Sequence, residues 1–194
     1  NFCEEFTELS TIVYPSTLRS IGESAFSGCA KLSSSLILDS IATIDDYAFA
    51  NCSQLSTIKF GKNLRSIGTE AFTGVAIDTL ILPEGIDSIS SNAFSSCANL
   101  KVVSIPSSLR YAPAGSSSES VFYECSSIDS VYWNAHKCSN NVFHSSDTYS
   151  SSIRSIEFGD SIQHIFSEFC MDFTALTNVI LPTSLQSISD AAFS

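Results

Sequence analysis

Positive charge is scarce in this chain. Lysine and arginine together number 9 against 20 aspartates and glutamates, a formal net charge of −11 over 194 residues. Non-specific affinity for nucleic acid comes largely from Lys and Arg neutralising phosphates, so the balance argues against nucleic acid as a partner. An anionic membrane surface is disfavoured on the same ground. The sequence has no apolar run of about 20 residues and no signal or transit segment, so no direct membrane insertion is expected of it. It has one tryptophan and three histidines. The nucleophile elbow G-x-S-x-G is absent, and so are the phosphate loops G-x-x-x-x-G-K-[ST] and G-x-G-x-x-G. No C-x-x-C pair occurs. We therefore expect no catalytic residues, no cofactor and no metal among these residues.

What the chain does have is a phrase that returns along its whole length. An aliphatic residue, any residue, and an aliphatic or aromatic residue precede a turn former. The phrase occurs as IVYP at 12–15, LILD at 36–39, IKFG at 58–61, LILP at 80–83, VSIP at 103–106, VYWN at 131–134, IEFG at 156–159 and VILP at 179–182. Successive starts lie roughly 22 to 28 residues apart, a period that marks a stacked array. The alternation in the phrase reads as a short strand with two side chains inward and one outward. Pro15, Asp39, Gly61, Pro83, Pro106, Asn134, Gly159 and Pro182 end it. The forty serines suit turns and exposed strand positions, where a hydroxyl bonds nearby backbone.

A second phrase follows each strand, as in LRSIGESAFSGCAKL at 18–32 and IDSISSNAFSSCANL at 86–100. Its columns are chemically consistent. One holds Phe26, Phe49, Phe72, Phe94, Phe122, Phe143 and Phe193. A small or β-branched residue precedes each of these, and three residues later stands Cys29, Cys52, Val75, Cys97 or Cys125. These phenylalanines and the four column cysteines are the expected structural core. One buried phenylalanine stabilises a fold by roughly 1.5–3 kcal/mol, and one unit alone cannot bury its apolar face. The spacing does not keep a helical period for long, so short strands and turns are expected there. Two stretches exchange large and small groups. FCMDFTAL at 169–176 puts Phe169 in the small column, Cys170 in the Phe column and Phe173 in the Cys column, and FCEEFTEL at 2–9 does the same with Phe2, Cys3 and Phe6.

The combined phrase L-x-x-I-x-I-P-x-S-L-x-S-I-G-x-x-A-F-x-x-C is carried most clearly by residues 9–29, 55–74 and 77–97. It resembles the BspA-like leucine-rich repeat family, also called the Treponema pallidum type. The resemblance covers essentially the whole chain and is weakest at 110–152. It implies a mainly β solenoid: a right-handed superhelix with a parallel sheet on the concave face, short strands and turns on the convex side, and little α-helix. Residues 1–194 then form a single domain of about eight units of ~23 residues, cut within a unit at each end, with an irregular unit around 110–152. Proteins of this kind occur on the surfaces of bacteria and parasitic protists. They look like adhesins for host cells, matrix proteins or other microbes, which implies a cell-surface or secreted protein that binds a protein or glycan. The alternative is an intracellular protein–protein interaction scaffold built on the same repeats. The family supplies no catalytic set to carry over.

If the sheet is the recognition face, its outward positions are readable. The central column is Val13, Ile37, Lys59, Ile81, Ser104, Tyr132, Glu157 and Ile180, our candidate ligand-binding strip. Beside it run Thr11, Ser34, Thr57, Thr79, Val102, Ser130, Ser155 and Asn178. Apolar residues exposed in a line mark interaction surfaces, although β-branched residues also favour strands for their own sake. The insert RYAPAGSSSESVF at 110–122 is a second candidate surface, with Tyr111 and Glu119. Trp133 falls in the inward column of Tyr14 and Phe60 and is expected in the core.

Cysteine numbers seven, an odd count. The column cysteines could form a disulfide framework, or a ladder of small buried thiols. Cys138 lies outside the columns and is the expected reactive or bridging thiol, with Cys125 as its possible partner. His136, Cys138 and His144 lie close in sequence but are too few and too plainly spaced to read as a metal site. Asn51-Cys52-Ser53 is a glycosylation sequon in a turn.

Overall fold

The computed structural model describes residues 8–33, 35–113, 119–138, 143 and 151–194. Each unit folds as one coil of a mainly β solenoid with three walls. The first wall holds the I-x-I phrases as strands: β2 (Leu36–Leu38), β4 (Ile58–Phe60), β6 (Thr79–Ile81), β8 (Val102–Ile105), β9 (Ser130–Trp133), β10 (Ser155–Phe158) and β12 (Asn178–Ile180). The second holds the Ser-Ile (or His-Ile, Thr-Ile) pairs: β1 (Ser20–Ile21), β3 (Thr43–Ile44), β5 (Ser66–Ile67), β7 (Ser88–Ile89), β11 (His164–Ile165) and β13 (Ser187–Ile188). All pairings are parallel. The solenoid has about seven turns and essentially no helix among the described residues. The phrase at 12–15 adopts no regular strand.

The broad wall is not continuous. β2 pairs with β4, and β6, β8, β9, β10 and β12 form a five-stranded sheet, but no ladder joins β4 to β6. The break follows directly on Val75–Ile77, where the unit is one residue shorter than Cys52–Leu55. The second wall runs unbroken past this point through β3, β5 and β7.

The third wall is built from turns that hydrogen-bond to the next coil. Ser24, Phe26 and Gly28 donate their N–H groups to Asp46, Ala48 and Ala50 at 2.9, 2.8 and 2.8 Å. Tyr47, Phe49 and Asn51 do the same to Thr69, Ala71 and Thr73. This wall therefore satisfies its backbone between coils, as a sheet does, without strand dihedrals. The geometry requires left-handed residues two before and two after the Phe position. Ser24, Tyr47, Glu70 and Asn92 occupy the first site, and Gly28, Asn51, Gly74, Ser96 and Glu124 the second.

Between the walls lies the core. The rings of Phe26, Phe49, Phe72, Phe94, Phe122 and Phe143 stack face on, with centroids 5.3, 5.2, 5.3, 6.2 and 5.2 Å apart. The wide step, Phe94 to Phe122, is the one that spans the insert. Phe26 is half-buried and the next five rings are fully buried. Phe193 departs from the expected core: it is 39% exposed and touches Phe158 edge-on at 6.4 Å. It lies in the last coil described, where Val179, Leu181 and Ile188 are exposed as well because no further coil packs on them among the described residues, and the exchange at 169–173 removes a stacking ring from its other side. Cys170 donates its N–H to Ala192 O as each phenylalanine before it does to the small column, so a thiol and not a ring stands next to Phe193. The displaced bulk is recovered by Phe169, which packs against Trp133, Phe158 and Phe166 at 5.3, 5.2 and 5.1 Å. The matching stretch with Phe2, Cys3 and Phe6 lies outside the described residues.

Gly61 allows the closest backbone approach between coils. A Cβ there would lie 2.5 Å from the Asp39 Cα, so no other residue fits this turn without moving the chain.

Candidate functional site: the outward strip of the broad sheet

The register aligns the strip. Ile37 pairs with Lys59. Across the larger sheet Ile81 pairs with Ser104, Ser104 with Tyr132, Tyr132 with Glu157, and Glu157 with Ile180. Alternation turns these side chains outward while their neighbours go in: Leu36, Leu38, Leu80, Val103, Ile105, Val131, Trp133, Ile156 and Phe158 are all buried. Val13 is 94% exposed, Ile81 64%, Ile37 53% and Ile180 47%. Lys59 and Glu157 are exposed, and Ser104 and Tyr132 half-buried. The flanking column follows the same register, Thr79 to Val102 to Ser130 to Ser155 to Asn178. Within it Asn178 Nδ2 donates to Ser155 Oγ at 3.0 Å. Ser34 lies outside the described residues.

The seam between β4 and β6 opens a groove of about 420 Å³ into this face. Ile58, Lys59, Phe60, Asp78, Thr79 and Ile81 line it. Nothing in the hydrophobic pattern announces this groove; its only sequence signal is the missing residue at 75–77.

Tyr132 carries the strip's clearest electrostatic signature. Its hydroxyl is held above its usual pKa by partial burial and then by the carboxylates of Glu157, Asp160 and Glu84. The ring reaches along the sheet to the turn after β10, where a Cβ on Gly159 would collide with the hydroxyl. Glu84 and Asp160 both follow a turn former, Pro83 and Gly159, so they share a column bordering the strip. They stand in turns, so alternation along the strands alone does not reveal them.

The cysteines lie on the other side of the core. Among the described residues all six are buried thiols. Cys52, Cys97 and Cys125 donate Sγ–H to the carbonyls of Phe26, Phe72 and Phe94, one coil back, at 3.2, 3.4 and 3.0 Å. Cys138, expected as a reactive or bridging thiol, is only 2% exposed, and its burial argues against the reactive role. It sits in the turn after β9 with Ala135, and burial shields the sulfur from any reagent in solution. His136 beside it is exposed, so the two side chains do not converge. His144 lies outside the described residues, and among those described no three potential ligands gather to hold a metal ion. Asn51 and Ser53 of the sequon are exposed. Tyr111 is 63% exposed at the start of the insert, bridging to Ser88 on the second wall, and Glu119 is exposed. Residues 114–118 of the insert lie outside the described residues.

The sequence model for the BspA type leucine rich repeat region matches in six copies, over residues 1–111, 25–148 and 103–194. The chain belongs to this BspA-type family. Among solved structures it is similar to a leucine-rich repeat protein of Bacteroides ovatus, with a TM-score of 0.61 and 23% identity over 91% of this chain. It is also similar to the leucine-rich repeat protein of T. pallidum, with a TM-score of 0.51 and 21% identity over 89% of the chain. Those matches cover 50% and 67% of the two relatives, so the chain spans about half the length of the Bacteroides protein. At these identities the likeness speaks to the fold. No curated protein matches the chain. BspA-type repeats commonly mediate protein–protein interaction, and the solenoid is typical of binding modules without catalysis. No helix among the described residues is long and apolar enough to cross a membrane.

Proposed function

We propose that this solenoid is a non-catalytic recognition module of a cell-surface or secreted protein, binding a host or microbial protein or glycan through the outward strip. The observation that carries this reading is that Ile37 and Ile81 stand in water on strands whose inward neighbours Leu36, Leu38, Leu80 and Leu82 are buried. Ile81 is 64% exposed although its neighbours Leu80 and Leu82 are 1% and 3% exposed. Covering one such side chain with a partner stabilises a complex by roughly 1.5–3 kcal/mol. The strands hold these groups in register before any partner arrives, so little ordering entropy opposes binding.

Substituting Ile81→Asp tests the reading. The side chain points to solvent, so the melting temperature should stay within about 2 °C of the parent. A screen against glycans and matrix proteins should find a ligand for the parent and at least about tenfold weaker binding for the variant. Equal binding by both would remove the strip from consideration. The cell-surface assignment is tested separately, by asking whether antibody against the chain labels intact cells of the source organism.

A further inference from the structure

The strip is charged differently along its length, and this deepens the reading above, on which it rests. Near β4 it is basic, with Lys59 on the strand and Lys62 in the bordering turn column. Near β9 and β10 it is acidic, with Glu157 beside Tyr132 in register and Asp160 in the turn that the Tyr132 hydroxyl reaches. Glu84 borders the same face from the end of β6. Its carboxylate accepts hydrogen bonds from the Ser107 N–H at 3.2 Å and the Ser107 hydroxyl at 3.0 Å, which hold it in place. The ion pairs found among the described residues are Lys31–Glu8, Arg110–Asp87 and Arg154–Asp129. None of them involves Glu84, Glu157 or Asp160. Isoleucines flank the acidic stretch on both sides: Ile180 is adjacent to Glu157, and Ile81 lies three strands away, roughly 14 Å at the spacing of a sheet.

We propose that the partner is a protein segment that lays apolar side chains over Ile81 and Ile180 and seats a lysine or arginine between them, against Tyr132, Glu157 and Asp160. Charge complementarity selects this occupant. A cation there meets an aromatic ring and carboxylates that form no ion pair among the described residues. A partner carrying a carboxylate at that point meets like charge. A neutral glycan can donate hydroxyls to the carboxylates but brings no opposite charge for them to select.

The test uses two labelled peptides of repeating isoleucine–threonine–lysine–threonine and isoleucine–threonine–glutamate–threonine, titrated with the chain by fluorescence anisotropy. As strands they present isoleucine and the charged residue on one face. The lysine peptide should bind and the glutamate peptide should not. The double substitution Glu157→Gln, Asp160→Asn should weaken the lysine peptide roughly five- to tenfold. A control, Glu23→Gln with Asp45→Asn, removes the same charge from exposed positions bordering the turn wall and should change binding less than about twofold. Equal losses in both double variants would mean that net charge alone draws the peptide, and would overturn the proposal. Binding of the glutamate peptide would overturn it as well. Ile81→Asp separates the two readings. If it abolishes peptide binding while the charge substitutions do nothing, the strip stands and the cationic partner falls. If it does nothing, the strip itself falls.

Discussion

The cysteine column shows why a residue type recurs where size alone would admit several. Phe26 O accepts the Cys29 N–H at 3.2 Å within its own coil and the Cys52 Sγ–H at 3.2 Å from the next. A buried carbonyl has two lone pairs, and the thiol fills the second. Val75 occupies the same column without a donor, so packing tolerates the change and the extra bond is lost. Burial has an electrostatic consequence. It pushes the Cys52 thiol up to about 12, with the neighbouring Cys29 adding to the rise, and burial alone pushes Cys170 to about 12. In the unfolded chain these thiols ionise near 9.0. The folded state then binds more protons than the unfolded one at alkaline pH. The contribution to stability is complete below about pH 9 and is lost as pH rises towards 12. Thermal melts followed by circular dichroism should therefore decline above about pH 9, and Cys52→Val should decline less steeply than the parent. Identical slopes would show that this thiol does not couple to folding.

The phenylalanine stack governs the next scale up. Phe72 lies between Phe49 and Phe94 at 5.2 and 5.3 Å and meets Phe60 edge-on at 5.7 Å, so it joins coils on both sides. Phe72→Ala should cost about 3–5 kcal/mol in urea unfolding. A loss below about 1 kcal/mol would mean that the coils slide together to fill the space. This column, the strands and their turn residues were legible in the sequence because packing repeats the same side chain at each coil. The third wall was less so. Its left-handed positions include Tyr47, Glu70, Glu124 and Ala191, residues that do not announce such a conformation. Each costs roughly 1–2 kcal/mol, and Tyr47 and Glu70 offset it by donating across coils, to Thr69 at 2.8 Å and Ser91 at 3.1 Å. Strain of this kind is imposed by the stack, so no local sequence rule finds it. The candidate site divides the same way. The strip was readable from alternation, but Glu84 and Asp160 join it only because their turns border the same face. Phe193 was misplaced because column membership does not say whether a further coil covers the ring.

At the scale of the whole molecule, a solenoid is held by interfaces between neighbouring coils, and its stability is close to a sum of such terms. One interface between successive strands of the broad wall lacks its ladder. Between the coils of β4 and β6 the second wall and the turn wall continue, with β5 paired to β7 and Gly74 donating to Ser95 at 2.9 Å, but the broad wall has no ladder. Alternation shows which amides this leaves without a strand partner. Leu82 donates forward to Ser104 at 3.2 Å, so Ile81, one residue earlier, directs its N–H back towards β4. Phe60 is the counterpart of Leu82 one coil before and directs its N–H into the same seam. Amide exchange followed by NMR should be at least about tenfold faster at Phe60 and Ile81 than at the laddered residues Val131 and Ile156. Uniform protection along all seven strands would mean that the seam closes in solution. Fast exchange confined to these positions would identify the one place where the sheet can widen, and it lies under Lys59 and Ile81 of the strip. A ligand that binds across both coils would then bring the two edges together, so its binding should slow exchange at Phe60 and Ile81 more than anywhere else in the sheet.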